Sequence, residues 1–249
     1  MKIRTITFDF WGTLLHDGPS SDDRYKRTRL TAFENILASA GETVPRNVLD
    51  RGYDESGAYL GRIWSTHRDV PVQEHVRALL AAVEPTLPDR LSGSVMAALV
   101  EAYARPALLV PPAVDGSARG ALEALRERGY TLAVVSNTMR TPGATLRKLL
   151  AQYGLLGCFA HTTFSDEVGV RKPDPAIFAL TLRAVGGEPE TAVHVGDDAI
   201  LDVQGARAAG MRVIQVTSAV PRAPGRTGPD AVIPRLGRLP DVIAELEAR

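Results

Sequence analysis

The sequence predicts an α/β fold: a doubly wound parallel sheet, interrupted early by an inserted block of helices. Three observations predict it. A strand pattern opens the chain, a long stretch with only helical periodicity follows, and from about residue 110 strand and helix patterns alternate.

The totals agree with a folded chain. Of 249 residues, 45% are apolar and 23% charged, a globular composition with length enough for two domains. Acidic and basic residues cancel at 29 each, which argues against nucleic acid or an anionic membrane as partner. The single cysteine, Cys158, lies in an apolar run and is expected to be a plain buried thiol, with no disulfide framework or cysteine zinc site. No basic segment leads into an apolar run at the N-terminus, and no apolar run approaches the ~20 residues that span a bilayer. The expected location is cytoplasmic. Only four of the 29 basic residues are lysines: Lys2, Lys26, Lys148 and Lys172.

The first strand carries Ile6, Phe8 and Phe10 two apart, with Asp9 where the strand runs out and Gly12-Thr13 in the turn beyond. From Asp17 to Leu108 only helical spacing is found, as in Leu30-Phe33-Leu37 and Val76-Leu79-Leu80-Val83, punctuated by Pro45, Pro71, Pro85 and Pro88. A helix is predicted with Val114, Ala118, Leu122 and Leu125 on one face, stopping at Gly129. Strand 130–136 follows. Thr141-Pro142 reads as a cap with proline at the first helical position, opening a helix to Gly154. A short strand is predicted near Cys158–Thr163. Asp174-Pro175 repeats the cap-and-proline start. Strand 191–196, a helix through Val203 and Ala206, strand 211–217, a loop over 218–230 and a last strand 231–233 complete the set.

In an open parallel sheet the C-terminal strand ends lie on one edge. Asp9 to Thr13, Ser136-Asn137, Arg171-Lys172-Pro173 and Gly196-Asp197-Asp198 with Asp202 all fall there. Asp9 and Asp197 are two carboxylates that would repel each other, and a hard divalent cation such as Mg²⁺ resolves this. Ser136 and Asn137 offer a hydroxyl and an amide to an anionic oxygen, and Lys172 offers a point charge. Free N–H groups at Gly12 and Thr13 complete an anion site. The combination points to phosphoryl transfer through an aspartyl-phosphate.

DxxGT, SN, KP and GDDAILD, in this order after these strands, resemble the haloacid dehalogenase superfamily of hydrolases. The resemblance covers nearly the whole chain. It implies a Rossmann-like catalytic core (residues 1–16 and 109–249) and a helical cap (17–108). By match, Asp9 resembles the nucleophile, and Ser136 and Lys172 resemble the groups that hold the phosphoryl oxygens. Asp197 resembles the metal ligand, with Asp198 and Asp202 at its margin. The backbone carbonyl of Trp11 matches a further metal ligand. In phosphatase members the position of Trp11 usually carries a second aspartate, which protonates the leaving oxygen. Indole has no such capacity.

Three readings follow. The first is a Mg²⁺-dependent phosphatase acting on a small phosphorylated metabolite without its usual acid. The second is a dehalogenase acting on a halogenated acid, whose branch also has an aromatic residue at this position. Asp197 and Asp198 argue against the second, and no cap arginine can be matched. The third is a weakly catalytic or interaction protein.

Bland readings stand beside these. An aspartate after a strand is most often a helix cap, and Ser-Asn is a turn signal. Asp202 is expected to hold its loop by hydrogen bonds, and His194 to be a satisfied structural histidine. His16, His67, His75 and His161 show no metal spacing. The basic run Arg24, Lys26, Arg27 and Arg29 reads as a solvated helix face, with a role in drawing an anion into the cleft as the alternative. Trp64 and Tyr59 read as core of the helical block.

Overall fold

The structure is a computed structural model that describes residues 2–217 and 228–248. Most of the predicted loop 218–230 therefore lies outside the described residues. The main sheet has strands β1 (Thr5–Phe8), β4 (Thr131–Ser136), β5 (His161–Phe164), β6 (Ala192–Gly196), β7 (Arg212–Val216) and β8 (Ala231–Ile233). They lie in the order β5-β4-β1-β6-β7-β8, and every pairing is parallel. The chain steps outward from β1 in one direction, then returns and steps outward from β6 in the other. This is the doubly wound, Rossmann-like order, and its crevice lies at the C-terminal ends of β1 and β6, where direction reverses.

Side chains alternate across the sheet. Ile6, Phe8, Leu132, Val134, Val193, Val195 and Ile214 face one apolar cluster, with α7 (Ala118–Glu127), α8 (Gly143–Gln152) and α12 (Leu239–Ala248) packed on it. Val135, Ala192 and Val213 face the other cluster, under α10 (Pro175–Ala184) and α11 (Gly205–Ala208). A parallel sheet covered on both faces favours near-continuous apolar strands, and β1 and β5 depart from this with threonines that are nonetheless buried.

Between β2 (Leu15–His16) and β3 (Ala113–Val114), an antiparallel pair, come six helices. They are α1 (Ser21–Ser39), α2 (Arg46–Trp64), α3 (Val72–Val83), α4 (Leu87–Arg90), α5 (Gly93–Ala104) and α6 (Pro106–Leu109). They bury their own apolar cluster around Leu30, Phe33, Leu37, Leu79, Leu99 and Tyr103.

Several local expectations need correction. Val114 is in β3, not on α7, because pairing with Leu15 holds it extended. Pro142 is the cap residue of α8, extended at ψ 158°, so Gly143 opens that helix. The element through Val203 begins as a π-helical turn over Ala199–Gln204 before α11. Asp174 caps α10 as expected, accepting from the Ala176 N–H with Pro175 at the first position. Cys158 is a buried free thiol.

The basic run does not form one solvated face. Arg29 is 2% exposed. It lies four residues from both Tyr25 and Phe33 on the buried stripe of α1. Tyr59 is not core but exposed.

Candidate active site

Asp9 follows β1 directly, and its N–H donates to the Val195 carbonyl of β6. The chain then turns sharply. Gly12 has φ +78°, and a Cβ there would lie 2.5 Å from Asp197 Oδ2. Only glycine satisfies both demands, so the turn after β1 and the turn after β6 are built around each other. Gly196 meets a similar limit, with a Cβ placed 2.3 Å from Asp202 Cγ.

Lys172 reaches this point from the loop between β5 and α10. Its Nζ donates to Asp9 Oδ1 and to Asp202 Oδ1, each at 2.6 Å. All three side chains are buried. Asp202 also takes the Asp198 N–H at 2.9 Å and pairs with His194 Nε2 at 3.1 Å. Thr7 holds the other ring nitrogen of His194 at 2.8 Å. His194 is thus a satisfied structural residue, and Asp202 both holds its loop and orients Lys172.

The electrostatics follow from burial and pairing. Burial pushes the Asp9 carboxyl up, and the Lys172 ammonium opposes that shift. Burial acts on Asp202 in the same direction, but Lys172 and His194 outweigh it and hold it below the usual carboxylate range. Lys172 is raised because Asp202 and Asp9 overcome its desolvation. Burial lowers His194, against the opposing pull of Asp202.

One carboxylate oxygen from each of Asp9, Asp197 and Asp202 lies within 4.8 Å of the others. The donors are all oxygen, which suits a hard divalent cation. Both oxygens of Asp202 are engaged, Oδ1 by Lys172 and His194 and Oδ2 by the Asp198 N–H, and Lys172 also takes Oδ1 of Asp9. Asp198 caps the π-helical turn, accepting from the N–H groups of Ile200 and Leu201.

These groups open into a cavity of about 710 Å³ that reaches the inserted helices. Asp9, Trp11, Gly12, Asn137, Lys172 and Asp197 line it. Ser136 and Thr13 do not: both are fully buried. The Ser136 hydroxyl lies 3.4 Å from the Asn137 carbonyl. The Asn137 amide is spent on the Lys172 backbone, donating to its carbonyl at 3.0 Å and accepting from its N–H at 2.7 Å. It fixes the loop that carries Lys172. Trp11 is half-buried and packs edge-on against Phe10 at 4.9 Å.

The chain was compared with known proteins. The model of haloacid dehalogenase-like hydrolases matches residues 3–210. The chain belongs to the haloacid dehalogenase-like hydrolase family. A phosphoserine phosphatase of Thermus thermophilus is 38% identical over 117 residues, 47% of this chain and 45% of that one. A glyceraldehyde 3-phosphate phosphatase of Methanopyrus kandleri is 36% identical over 129 residues, 49% of this chain and 53% of that one. The chain thus spans about half the length of these relatives. A 2-haloacid dehalogenase of Pseudomonas syringae has a similar structure, with TM-score 0.72 and 26% identity over 98% of this chain and 99% of that one.

Within this hydrolase frame, the cavity contains residues that sequence reasoning left aside. Arg29, Arg140 and Trp64 line it. Trp64, half-buried, donates from Nε1 to Asp69 at 2.9 Å and lies under the Arg171 guanidinium. The four-residue spacing Tyr25-Arg29-Phe33-Leu37 was the available signal for Arg29. No local signal marks Asp69, whose partner Arg171 is 102 residues away.

Proposed function

We propose that this hydrolase is a Mg²⁺-dependent phosphatase acting on a small phosphorylated molecule through an aspartyl-phosphate on Asp9. The observation that carries the reading is Asp9 at the sheet's reversal point, 2.6 Å from Lys172 Nζ and grouped with Asp197. Asp9, Asp197 and the Trp11 carbonyl would hold the cation. Bound there, it would offset the charge of the carboxylates and the phosphoryl oxygens.

The chain's own residues divide the work. Asp9 attacks phosphorus, and the bond to the ester oxygen breaks. Lys172, fixed by Asp202, stabilises the charge on the phosphoryl oxygens. The Gly12 N–H, expected to be free for an anion, donates instead to the Leu15 carbonyl at 2.8 Å, and Ser136 is fully buried off the cavity, so Lys172 carries this role. Water then opens the acyl phosphate and regenerates Asp9. Trp11 supplies no proton to the leaving oxygen, so esters of acidic alcohols are favoured. The helical segment 17–108 acts as the cap that closes the cavity.

A second reading, dehalogenation of a 2-haloacid through an Asp9 ester, is favoured by Trp11 and by the likeness to the P. syringae enzyme. One experiment separates them. Phosphate esters and acyl phosphates are assayed with Mg²⁺ and with EDTA, and halide release from 2-haloacids is measured in EDTA. Metal-dependent phosphate release, abolished in Asp9→Asn, is expected. Halide release without phosphate release would replace the first reading by the second, and neither activity would leave an interaction role.

A further inference from the structure

We propose that Arg29 and Arg140 form an anion subsite in the same cavity, selecting a phosphate ester that carries a second anionic group, a carboxylate or another phosphate. This rests on the phosphatase reading and adds the substrate class.

Seven carboxylates and five cations line the cavity, and the cations are Lys26, Arg29, Arg140, Arg171 and Lys172. Three have carboxylate partners. Lys26 pairs with Asp54, Arg171 with Asp69, and Lys172 with Asp9 and Asp202. Among the described residues Arg29 and Arg140 pair with none, and every acceptor they touch is neutral. Arg29 donates from Nε to the Tyr103 carbonyl at 2.8 Å, and from Nη1 to the Tyr53 hydroxyl at 3.0 Å. Its Nη2 reaches the Arg140 carbonyl at 3.0 Å and Thr141 Oγ1 at 3.4 Å. Arg140 donates from Nη1 to the Tyr103 hydroxyl at 2.9 Å and to Ser56 Oγ at 3.3 Å, and from Nη2 to the Tyr53 carbonyl at 2.9 Å. Its guanidinium lies over the Tyr53 ring at 3.8 Å.

Two neighbouring guanidinium charges with no counter-ion are costly away from water, and the cost falls when an anion joins them. His75 feels their field: burial lowers it most, Asp69 opposes, and Arg140 and Arg29 both add to the lowering. Donors remain for such an anion. A guanidinium has five N–H groups, and the Nε of Arg140 is uncommitted among the described residues. Tyr53, which also lines the cavity, accepts from Arg29 and keeps its own proton to give. Stacked and tethered, Arg140 is pre-organised, and its planar fork matches a carboxylate or phosphate.

The test uses matched pairs of esters with Mg²⁺: carboxymethyl phosphate against ethyl phosphate, and glycerol 1,3-bisphosphate against glycerol 3-phosphate. The kcat/KM ratio within one pair is expected to favour the doubly anionic member by about tenfold or more. The pair that shows it tells carboxylate from phosphate. Arg140→Gln lowers that ratio about tenfold, and Arg140→Lys lowers it less. A purely structural clasp would lower both members alike and leave the ratio unchanged. Binding of phosphonoacetate against ethylphosphonate, followed by tryptophan fluorescence, reads the subsite without turnover. No preference for the doubly anionic member in either assay, or a preference that survives in both Arg140→Gln and Arg29→Lys, overturns the subsite. If no ester turns over while phosphonoacetate binds selectively through Arg140, the subsite stands and the phosphatase reading falls.

Discussion

The carboxylate of Asp69 and the guanidinium of Arg171 meet at 2.6 Å in the buried seam between the inserted helices and the sheet. The same oxygen of Asp69 accepts from Ser165 at 2.5 Å and Thr138 at 3.2 Å, while its other oxygen takes Trp64 Nε1 and the Val70 N–H. Backbone bonds run alongside, from the Asp69 N–H to Gly169 and from the Arg171 N–H to His67. Arg171 immediately precedes Lys172, so the seam ties the helical block to the loop that presents the site's lysine. Asp69→Asn leaves a buried guanidinium without its counter-charge and is expected to cost about 3 kcal/mol in urea unfolding. The double variant Asp69→Leu/Arg171→Met should lose less than the two single variants summed. Simple additivity would show that the pair is not coupled.

Asp202 is expected to act on turnover through Lys172. Its polar contacts run to Lys172, to His194 and to the Asp198 N–H. Asp202→Asn frees Lys172 to settle on Asp9 alone, and kcat should drop roughly 10–100-fold with a smaller change in KM. A kcat within threefold of the parent would show that Asp202 does not position the lysine.

Trp11 predicts the response to the leaving group. Rates should fall steeply from aryl to alkyl phosphates, because an alkoxide must leave unprotonated. Trp11→Asp should raise alkyl phosphate turnover, within the ~10²–10⁴-fold range of general acid help, and change aryl phosphate turnover little. Trp11→Asn controls for the lost packing on Phe10. Equal gains in both variants would remove acid catalysis as the explanation.

His75 predicts an acid limb of stability. Burial lowers it from 6.5 to about 4 in the fold, between the rings of Trp64 and Tyr103. Below pH 6.5 the unfolded chain takes up a proton that the folded chain refuses. Stability contributed by neutral His75 is therefore present above 6.5 and lost as pH falls toward 4, at up to ~1.4 kcal/mol per pH unit. His75→Phe should flatten the difference between urea melts at pH 7 and pH 4.5. A parallel pH dependence in parent and variant would place the proton elsewhere.

What the sequence made legible was set by local pattern. Alternation in β1 and the strand-end positions of Asp9 and Asp197 sufficed to bring those two together, because a parallel sheet puts such ends on one edge, whereas Lys172 comes from the loop beyond a helical turn, Ser165–Val168, that follows β5. Val114 and Pro142 were misplaced because a two-residue strand and a one-residue shift of a cap leave almost no periodic signal. Arg29 was read by charge although its spacing put it on the buried stripe, and the carbonyls that satisfy it come from Tyr103 and Arg140. Asp69 was invisible for the same reason, since its partners come from distant segments. Ser136 and Asn137 were expected to hold anionic oxygens, but spacing does not say which way a hydroxyl or an amide faces: the hydroxyl is buried and the amide is bound to the Lys172 backbone.

The chain contains two tryptophans, and Trp11 and Trp64 both line the cavity. One comes from the turn after the first strand and the other from the end of α2. All indole emission of this protein therefore originates at the walls of a single chamber. A ligand entering it can be followed by colour and intensity alone, with no label and no reaction. Replacing either ring by phenylalanine assigns the remaining signal to the sheet side or the helical side.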